Sequence, residues 1–379
     1  MAEVEIRRVE GSRSREAGEF IRLPKKIYRD SDKYVPWFDR GMRKLFKKDH
    51  SFFEHSEGDF FLVRRGTEVL GRIGLFENRN FNSYTGNRDA RFYFFDCHED
   101  EEAASTLFDF ALEWAAERGL SRLIGPQGFS SMAGGGVLIE GFEHPPAMTM
   151  MPYNYPYYRE LLDGWGFVKY KDFISGYIDA KAYTRPEKVG RIAEIVMKRE
   201  GFTIPEIKGR KALESLAEEI GDLYNQSWED HEEFAPLTKA ELKDLVDDLL
   251  LVADPKLIKV IRKGKELAGF VLTFPDLTEA LVRAWGRLTP FTLIDILLEK
   301  RRTKKLIING LGIHPKYRKK GGTALLYYAL EKSARALGRE FEGADVTQVA
   351  ETTDLMLSDV GTLGAEIYKR HRVYQKSIS

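Results

Sequence analysis

The sequence predicts a mixed α/β fold (α+β in its sheet order), built twice over, and three observations lead there. Segments of alternating apolar residues joined by short turns carrying Gly and charge read as antiparallel hairpins. Strands separated by long amphipathic runs read as crossovers, so each sheet mixes antiparallel and parallel neighbours and carries helices on both faces. The whole pattern also recurs. Aligning Phe61–Phe76 (FLVRRGTEVLGRIGLF) with Lys259–Phe274 (KVIRKGKELAGFVLTF) sets Gly66 over Gly264, Gly71 over Gly269 and Phe76 over Phe274, 198 residues apart. Gly119 then corresponds to Gly338 at a spacing of 219, and Gly166 over Gly364, Tyr170 over Tyr368 and Lys171 over Lys369 restore 198. Three matched segments in the same order indicate duplicated architecture. The extra 21 residues imply an insertion in the second copy, which the amphipathic run Phe291–Arg302 (FTLIDILLEKRR) would supply.

The first copy reads in order as a strand near 3–9, helices near 12–28 and 37–47, the hairpin, and a strand near 90–96. A long helix over 99–118, a strand at 121–125, a short helix at 154–164 and a last strand at 167–178 complete it. A helical connector near 185–200 follows, and the plan repeats from Phe202 to Ile378. The expected domains are therefore residues 1–180 and 181–379. At 379 residues, two such units agree with a usual domain size of roughly 100–200 residues.

Composition narrows the function classes. Hydrophobic residues make up 43% and charged residues 31% of the chain, which is ordinary for a packed protein. Lys plus Arg (59) balances Asp plus Glu (59), which argues against a partner held mainly by counterion release from nucleic acid. Cys97 stands alone, so neither an intrachain disulfide nor a Cys-rich metal site is expected, and it reads as a small buried residue. The seven histidines have no metal-ligand spacing, so no metal is expected. The start MAEVEIRRVEGS lacks a signal-peptide core and no stretch reaches the length of a membrane span, so the default location is cytoplasmic.

Chemistry is best sought where the copies differ. In the second, the strand LIINGLGIHP runs into KYRKKGGTALLYYALEKSAR. Pro315 ends the strand, Arg318, Lys319 and Lys320 approach a helix start, and Gly321 and Gly322 permit close backbone approach. Unpaired N–H groups, the positive end of a helix dipole and three cations suit a phosphate or diphosphate. The equivalent helix start of the first copy carries Glu99, Asp100, Glu101 and Glu102, which complement the dipole internally and repel a polyanion.

The stretch GLGIHPKYRKKGGTALL resembles the acyl-coenzyme A loop of the GNAT (Gcn5-related N-acetyltransferase) superfamily, with Arg318, Gly321 and Thr323 at the motif positions and Ala324 beside them. Thr323 stands where the family places a second small residue. The whole chain, including EGFEHPP, MPYNYPYY and the Trp228 region, resembles bacterial two-lobed, tandem GNAT-like proteins. The resemblance implies two splayed mixed sheets, with the pantetheine arm lying between strands near 304–313 and 342–349. It implies acetyl-CoA or a longer acyl-CoA as co-substrate, with Leu311, Gly312 and Ile313 nearest the thioester, and Arg318, Lys319, Lys320, Gly321, Gly322, Thr323 and Ala324 on the phosphates. The implied activity is N-acyl transfer to a primary amine by direct attack in a ternary complex. Some two-lobed relatives are associated with amide formation on sphingoid-type lipids, so a lipid amine is one open acceptor. Many family members also carry a Tyr in the short helix after the fifth strand, and Thr352–Leu363 has none. That departure keeps a non-catalytic acyl-CoA sensor open as the competing reading.

Candidates for proton transfer are His231, inside SWEDHEEF, and Asp276, in TFPDLTEAL. A solvated loop is the alternative for the first, and a turn following Pro275 is the alternative for the second. Candidate acceptor contacts are Asn154, Tyr157, Tyr158 and Trp228; a rigid aromatic interface between lobes is the alternative for the tyrosine-rich segment. SSMAGGG at 130–136 is flexible enough for a lid. KRRTKK at 300–305 suits the 3′-phosphate of the coenzyme, an anionic membrane or merely solvent, and the run Phe291–Arg302 suits an acyl tunnel, a peripheral membrane contact or ordinary packing.

Overall fold

Ser14 opens the first helix, its hydroxyl accepting the Ala17 N–H at 3.0 Å and so satisfying one of the donors a first turn leaves free. In the computed structural model, which describes residues 3–128, 134–185, 187–228 and 234–378, the first half begins with β1 (Val4–Arg8), α1 (Arg15–Ile27) and α2 (Asp39–Phe46). The hairpin β2 (Glu57–Arg65) and β3 (Glu68–Glu77) leads through α3 (Arg79–Thr85) to β4 (Asp89–Cys97). Then come α4 (Glu101–Ala116), β5 (Arg122–Gly125), β6 (Val137–Glu140), α5 (Tyr157–Trp165) and β7 (Val168–Asp179). The connector is α6 (Glu187–Arg199).

The second half repeats the plan: β8 (Phe202–Thr203), α7 (Gly209–Trp228), α8 (Lys239–Val252), β9 (Lys259–Lys263) and β10 (Glu266–Pro275). Two helices, α9 (Thr278–Ala284) and α10 (Pro290–Arg302), fill the place that α3 alone takes in the first half, which is where the extra residues fall. β11 (Lys305–Ile313), α11 (Gly322–Ala336), β12 (Gly343–Ala350), α12 (Asp354–Thr362) and β13 (Glu366–Ser377) complete the chain. The duplication is visible in the backbone itself. Gly66 and Gly264 turn their hairpins at φ +61° and +63°, Gly119 and Gly338 sit at +66° and +65°, and Gly166 and Gly364 leave their helices at +93° and +68°. Such left-handed positions strongly favour glycine, which is why these residues carried the alignment.

Pairing joins the halves in a way the sequence does not announce. Among the described residues, thirteen strands form one sheet in the order β1-β2-β3-β4-β5-β13-β7-β12-β11-β10-β9-β8, with β6 on β13. The last strand of each half therefore lies beside the strand that follows the long helix of the other, β13 against β5 and β7 against β12, while β7 and β13 pair with each other. β11 and β12 run parallel from Lys305↔Gly343 to Ile308↔Val346, where the pairing ends although both strands continue. That divergence opens the second half of the sheet. One face there packs on α6 and α11 through Ala193, Val196, Leu325, Leu326 and Leu330, and the other on α7 and α8 through Leu223, Tyr224, Phe270 and Phe274. Burying each of the larger of these side chains stabilises by roughly 1.5–3 kcal/mol.

Candidate active site

The loop after β11 is shaped by two residues with positive φ, Lys319 at +62° and Gly321 at +78°, separated by Lys320. Gly321 is the N-cap of α11 and makes no side-chain cap bond, so capping leaves the first-turn N–H groups to whatever enters. A Cβ on Gly321 would stand 2.5 Å from Val196 Cγ2, and one on Gly322 would stand 3.0 Å from Ile261 Cδ1. Gly321 is thus favoured by its positive φ and by its approach to α6, and Gly322 sits in tight contact with the sheet. Arg318 donates to the Ser227 carbonyl at 2.8 Å, and Lys320 lies over the Tyr317 ring at 5.4 Å.

A cleft of about 800 Å³ runs from this terminus to the end of β11. Leu311, Gly312, Ile313, Arg318, Lys319, Lys320, Gly321, Gly322, Thr323 and Ala324 all line it, so the structure brings the ten expected coenzyme residues together. The opposite walls are Val189, Ile192 and Val196 of α6 and Met356 and Leu363 at α12, and the roof made by the connector helix is a feature sequence reasoning missed. β11 carries a bulge opposite Val271–Thr273, with Gly310 at φ +104°. A bulge interrupts the ladder and re-aims backbone groups, here beside the cleft. At Gly312 a Cβ would meet Phe270 Cε1 at 2.6 Å and the Ser227 hydroxyl at 3.0 Å. That hydroxyl is buried and, among the described residues, has no hydrogen-bond partner.

Where β11 and β12 part, Thr347 donates to the Ile308 carbonyl at 3.4 Å, and two residues earlier Asp345 joins a buried polar cluster. Tyr368 of β13 donates to Asp345 at 2.5 Å; its ring lies 4.9 Å from His144, and Lys369 donates to the Pro145 carbonyl at 2.7 Å. Burial pushes the Asp345 carboxyl up to about 6, assisted by the nearby charge of Asp276 and opposed by the Tyr368 hydrogen bond and by Lys369. Burial also brings the Lys369 ammonium down to about 8 against the pull of Asp345. First-half residues 144–151 roof this cluster, with Met148 N–H donating to Thr278 Oγ1 at 2.7 Å.

Asp276 lies within this neighbourhood. Its carboxylate accepts from the Thr278 N–H at 2.9 Å and hydroxyl at 2.6 Å, an Asx-type turn ahead of α9, and burial raises its pKa. His231 lies outside the described residues, as does most of the 130–136 segment, and Trp228 is the last residue of α7. Asn154, Tyr157 and Tyr158 are directed into the first half instead. Asn154 accepts from the Leu138 N–H and donates to its carbonyl; the Tyr157 hydroxyl donates to the Cys97 carbonyl at 2.7 Å. Tyr28 donates to the Tyr158 hydroxyl at 2.7 Å, and with Asn154 and the buried Arg72–Asp96 pair these residues line a first-half cavity. Cys97 is buried, and its thiol pKa is pushed up by burial. Missed by sequence reasoning were Asp345, Tyr368 and Ser227; the one available signal was Tyr368 standing over Tyr170 in the repeat.

Among the described residues no cluster of three or more His, Cys, Asp or Glu could hold a metal ion, and no helix is long and apolar enough to cross a membrane. Residues 214–347 match the Acetyltransferase (GNAT) family. The chain is 26% identical over 370 residues to the "Bacterial ceramide synthase" of Caulobacter vibrioides, covering 95% of this chain and 94% of that protein. It is 23% identical over 363 residues to Protein YghO of Escherichia coli, covering 95% and 92%. Among solved structures, a tandem GNAT protein from the clavulanic acid biosynthesis pathway superposes with a TM-score of 0.58 at 13% identity, over 100% of this chain and 99% of that one, a likeness of fold. Residues 214–347 thus carry the GNAT acetyltransferase match, and the chain as a whole shares its fold with a tandem GNAT protein.

Proposed function

We propose that this protein transfers a long acyl chain from acyl-coenzyme A to the primary amine of a lipid, with residues 181–379 holding the coenzyme and residues 1–180 shaping the acceptor side. The observation that carries the reading is the position of Phe270. Its ring is 1% exposed and abuts Gly312 at the end of the coenzyme cleft. It also lines a narrow apolar slot between α7, α8 and β10, with a cavity of about 60 Å³ that an acyl chain would have to widen. Leu213, Ile220, Leu242, Leu249 and Phe274 are typical of its walls. Phe270 stands between the end of the cleft and this slot, so an acyl chain on a thioester seated at Gly312 enters the slot when that ring turns aside, and every methylene moved there from water gains about 0.8 kcal/mol.

In this reading the coenzyme diphosphate sits on the α11 terminus with Arg318, Lys319 and Lys320, and the pantetheine arm follows β11 where it leaves β12. The neutral amine attacks the thioester carbonyl carbon; the C–N bond forms, the C–S bond breaks, and the electron pair leaves on sulfur. Backbone groups at the Gly310 bulge and the Ser227 hydroxyl stabilise the oxygen that gains charge. Asp345, ionised above about pH 6 and hydrogen-bonded to Tyr368, takes the amine proton. The relative from Caulobacter vibrioides supports the acceptor class, because a ceramide is an amide of a lipid amine. The lack of a Tyr in α12 favours one second reading, an acyl-CoA sensor without turnover.

The test is release of free thiol from acetyl- and palmitoyl-coenzyme A in the presence of a short amine and a long-chain amino alcohol. The account expects turnover with palmitoyl-coenzyme A and the lipid amine, and a shift of the Phe270→Trp variant toward shorter chains. Turnover with acetyl-coenzyme A alone contradicts the long-chain assignment, and tight coenzyme binding without thiol release across the panel favours the sensor.

A further inference from the structure

Helix α10 lies against the protein by one face only. Thr292, Ile296 and Glu299 are buried beneath it, whereas Phe291 is 82%, Ile294 54% and Leu297 60% exposed. At about 100° per residue, these three with Leu293 and Leu298 span the outward half of the helix, and exposed Leu288 extends the patch toward the preceding turn. Most of the exposed large apolar side chains among the described residues therefore fall in one stretch of chain, 288–298. An exposed apolar patch of this kind marks an interaction surface.

Charge says what covers it. Exposed Arg287 precedes the helix, and Arg301 and Arg302 are exposed in its last turn. The two acids of the helix are both held by Arg283, Asp295 at 2.9 and 3.0 Å and Glu299 at 2.5 Å, so neither balances the outward cations. A second copy seated on this face would bring Arg287, Arg301 and Arg302 against the same cations whether the two helices ran parallel or antiparallel. An anionic lipid surface instead takes the apolar arc into its acyl layer and the guanidinium groups at its phosphates.

We propose that α10 is a membrane-docking helix, lying in the plane of an anionic lipid surface with Phe291, Ile294 and Leu297 inserted. The helix directly follows α9, whose first residue Thr278 hydrogen-bonds Asp276 and the first-half residues 146–148. Docking by α10 therefore brings the lipid surface to the side of the molecule that holds the Asp345–Tyr368 cluster. None of the residues lining the coenzyme cleft or the apolar slot comes from α10.

Vesicle flotation tests this without any acyl transfer, so it stands or falls apart from the proposed reaction. The full chain is floated with vesicles of phosphatidylcholine alone and with vesicles containing about one third phosphatidylglycerol, each basic residue at the surface strengthening binding by about fivefold. The wild type is expected to float with the mixed vesicles, Phe291→Ser/Ile294→Ser/Leu297→Ser to lose at least about tenfold in partitioning, and Arg301→Glu/Arg302→Glu to lose the preference for anionic lipid. Circular dichroism of both variants, altered only at exposed positions, reports retained folding. Wild type left at the bottom of the gradient, or equal flotation of a folded triple variant, overturns the proposal. So does a wild-type dimer in light scattering that the triple variant converts to monomer.

Discussion

The N-termini of α4 and α11 are equivalent positions of a duplicated fold and electrical opposites. At α4, Asp100 caps the Ala103 N–H at 3.0 Å, and Arg65 closes the terminus by pairing with Asp100 at 2.8 Å and Glu102 at 2.6 Å. The Arg65 hydrogen bond holds the Asp100 carboxyl below its ordinary range. At α11 the cap is a bare glycine and the approaching loop is cationic. One terminus supplies its own anion and the other leaves room for an external one. The two halves thus share a framework, and on the proposed reading only the second offers its helix start to a phosphate.

Charge reversal breaks the comparison most sharply. Arg318→Glu/Lys320→Glu should lower affinity for coenzyme A by at least about a hundredfold in calorimetry, because two charge-assisted contacts become repulsions. Glu101→Lys/Glu102→Lys should leave that affinity within about twofold, since exposed charges at the distant terminus are screened. A comparable loss in both variants would erase the asymmetry.

Asp345→Asn should reduce kcat/KM about a hundredfold, within the range expected for losing a positioned base. The wild-type rate should fall as pH drops through about 6, where Asp345 takes up its proton, and the variant should lose that step. Stability carries the opposite sign. A carboxyl with a raised folded-state pKa contributes stability that is present below its ordinary value of 3.8 and is lost as pH rises through about 6. Denaturant titrations at pH 4 and pH 7 should therefore converge more closely for Asp345→Asn than for wild type.

Ser227→Ala should cost about tenfold in kcat with little change in coenzyme affinity, if its buried hydroxyl serves the oxygen that gains charge. Gly321→Ala should have the smallest effect, destabilising the fold by about 1–2 kcal/mol through its positive φ and the nearby Val196, as read by thermal unfolding. An unchanged melting temperature would mean that α6 yields at this contact.

Much of this contrast is legible in the sequence because it depends on local chemistry. Cations and glycines before an amphipathic run in one copy, and four acids in the same place in the other, identify the two termini without coordinates. Gly66, Gly264, Gly166 and Gly364 reveal the repeat because left-handed backbone positions restrict the residue type. The exchange of β7 and β13 is not legible, since each strand alternates in the same way whichever neighbour it meets. The same limit hides Asp345, a single acid in the strand GADVTQVA whose partner Tyr368 is 23 residues away. Asn154 and Tyr158, which read as substrate contacts from composition, are hydrogen-bonded to Leu138, Tyr28 and Cys97 and line the first-half cavity. Those partners are distant in the chain, so the sequence does not show them.

Calorimetric titration with coenzyme A, followed by a crystal of the complex, tests the central claim most directly. The account predicts one molecule per chain, its diphosphate against the start of α11. Two sites of equal affinity, or density against α4 alone, would contradict it.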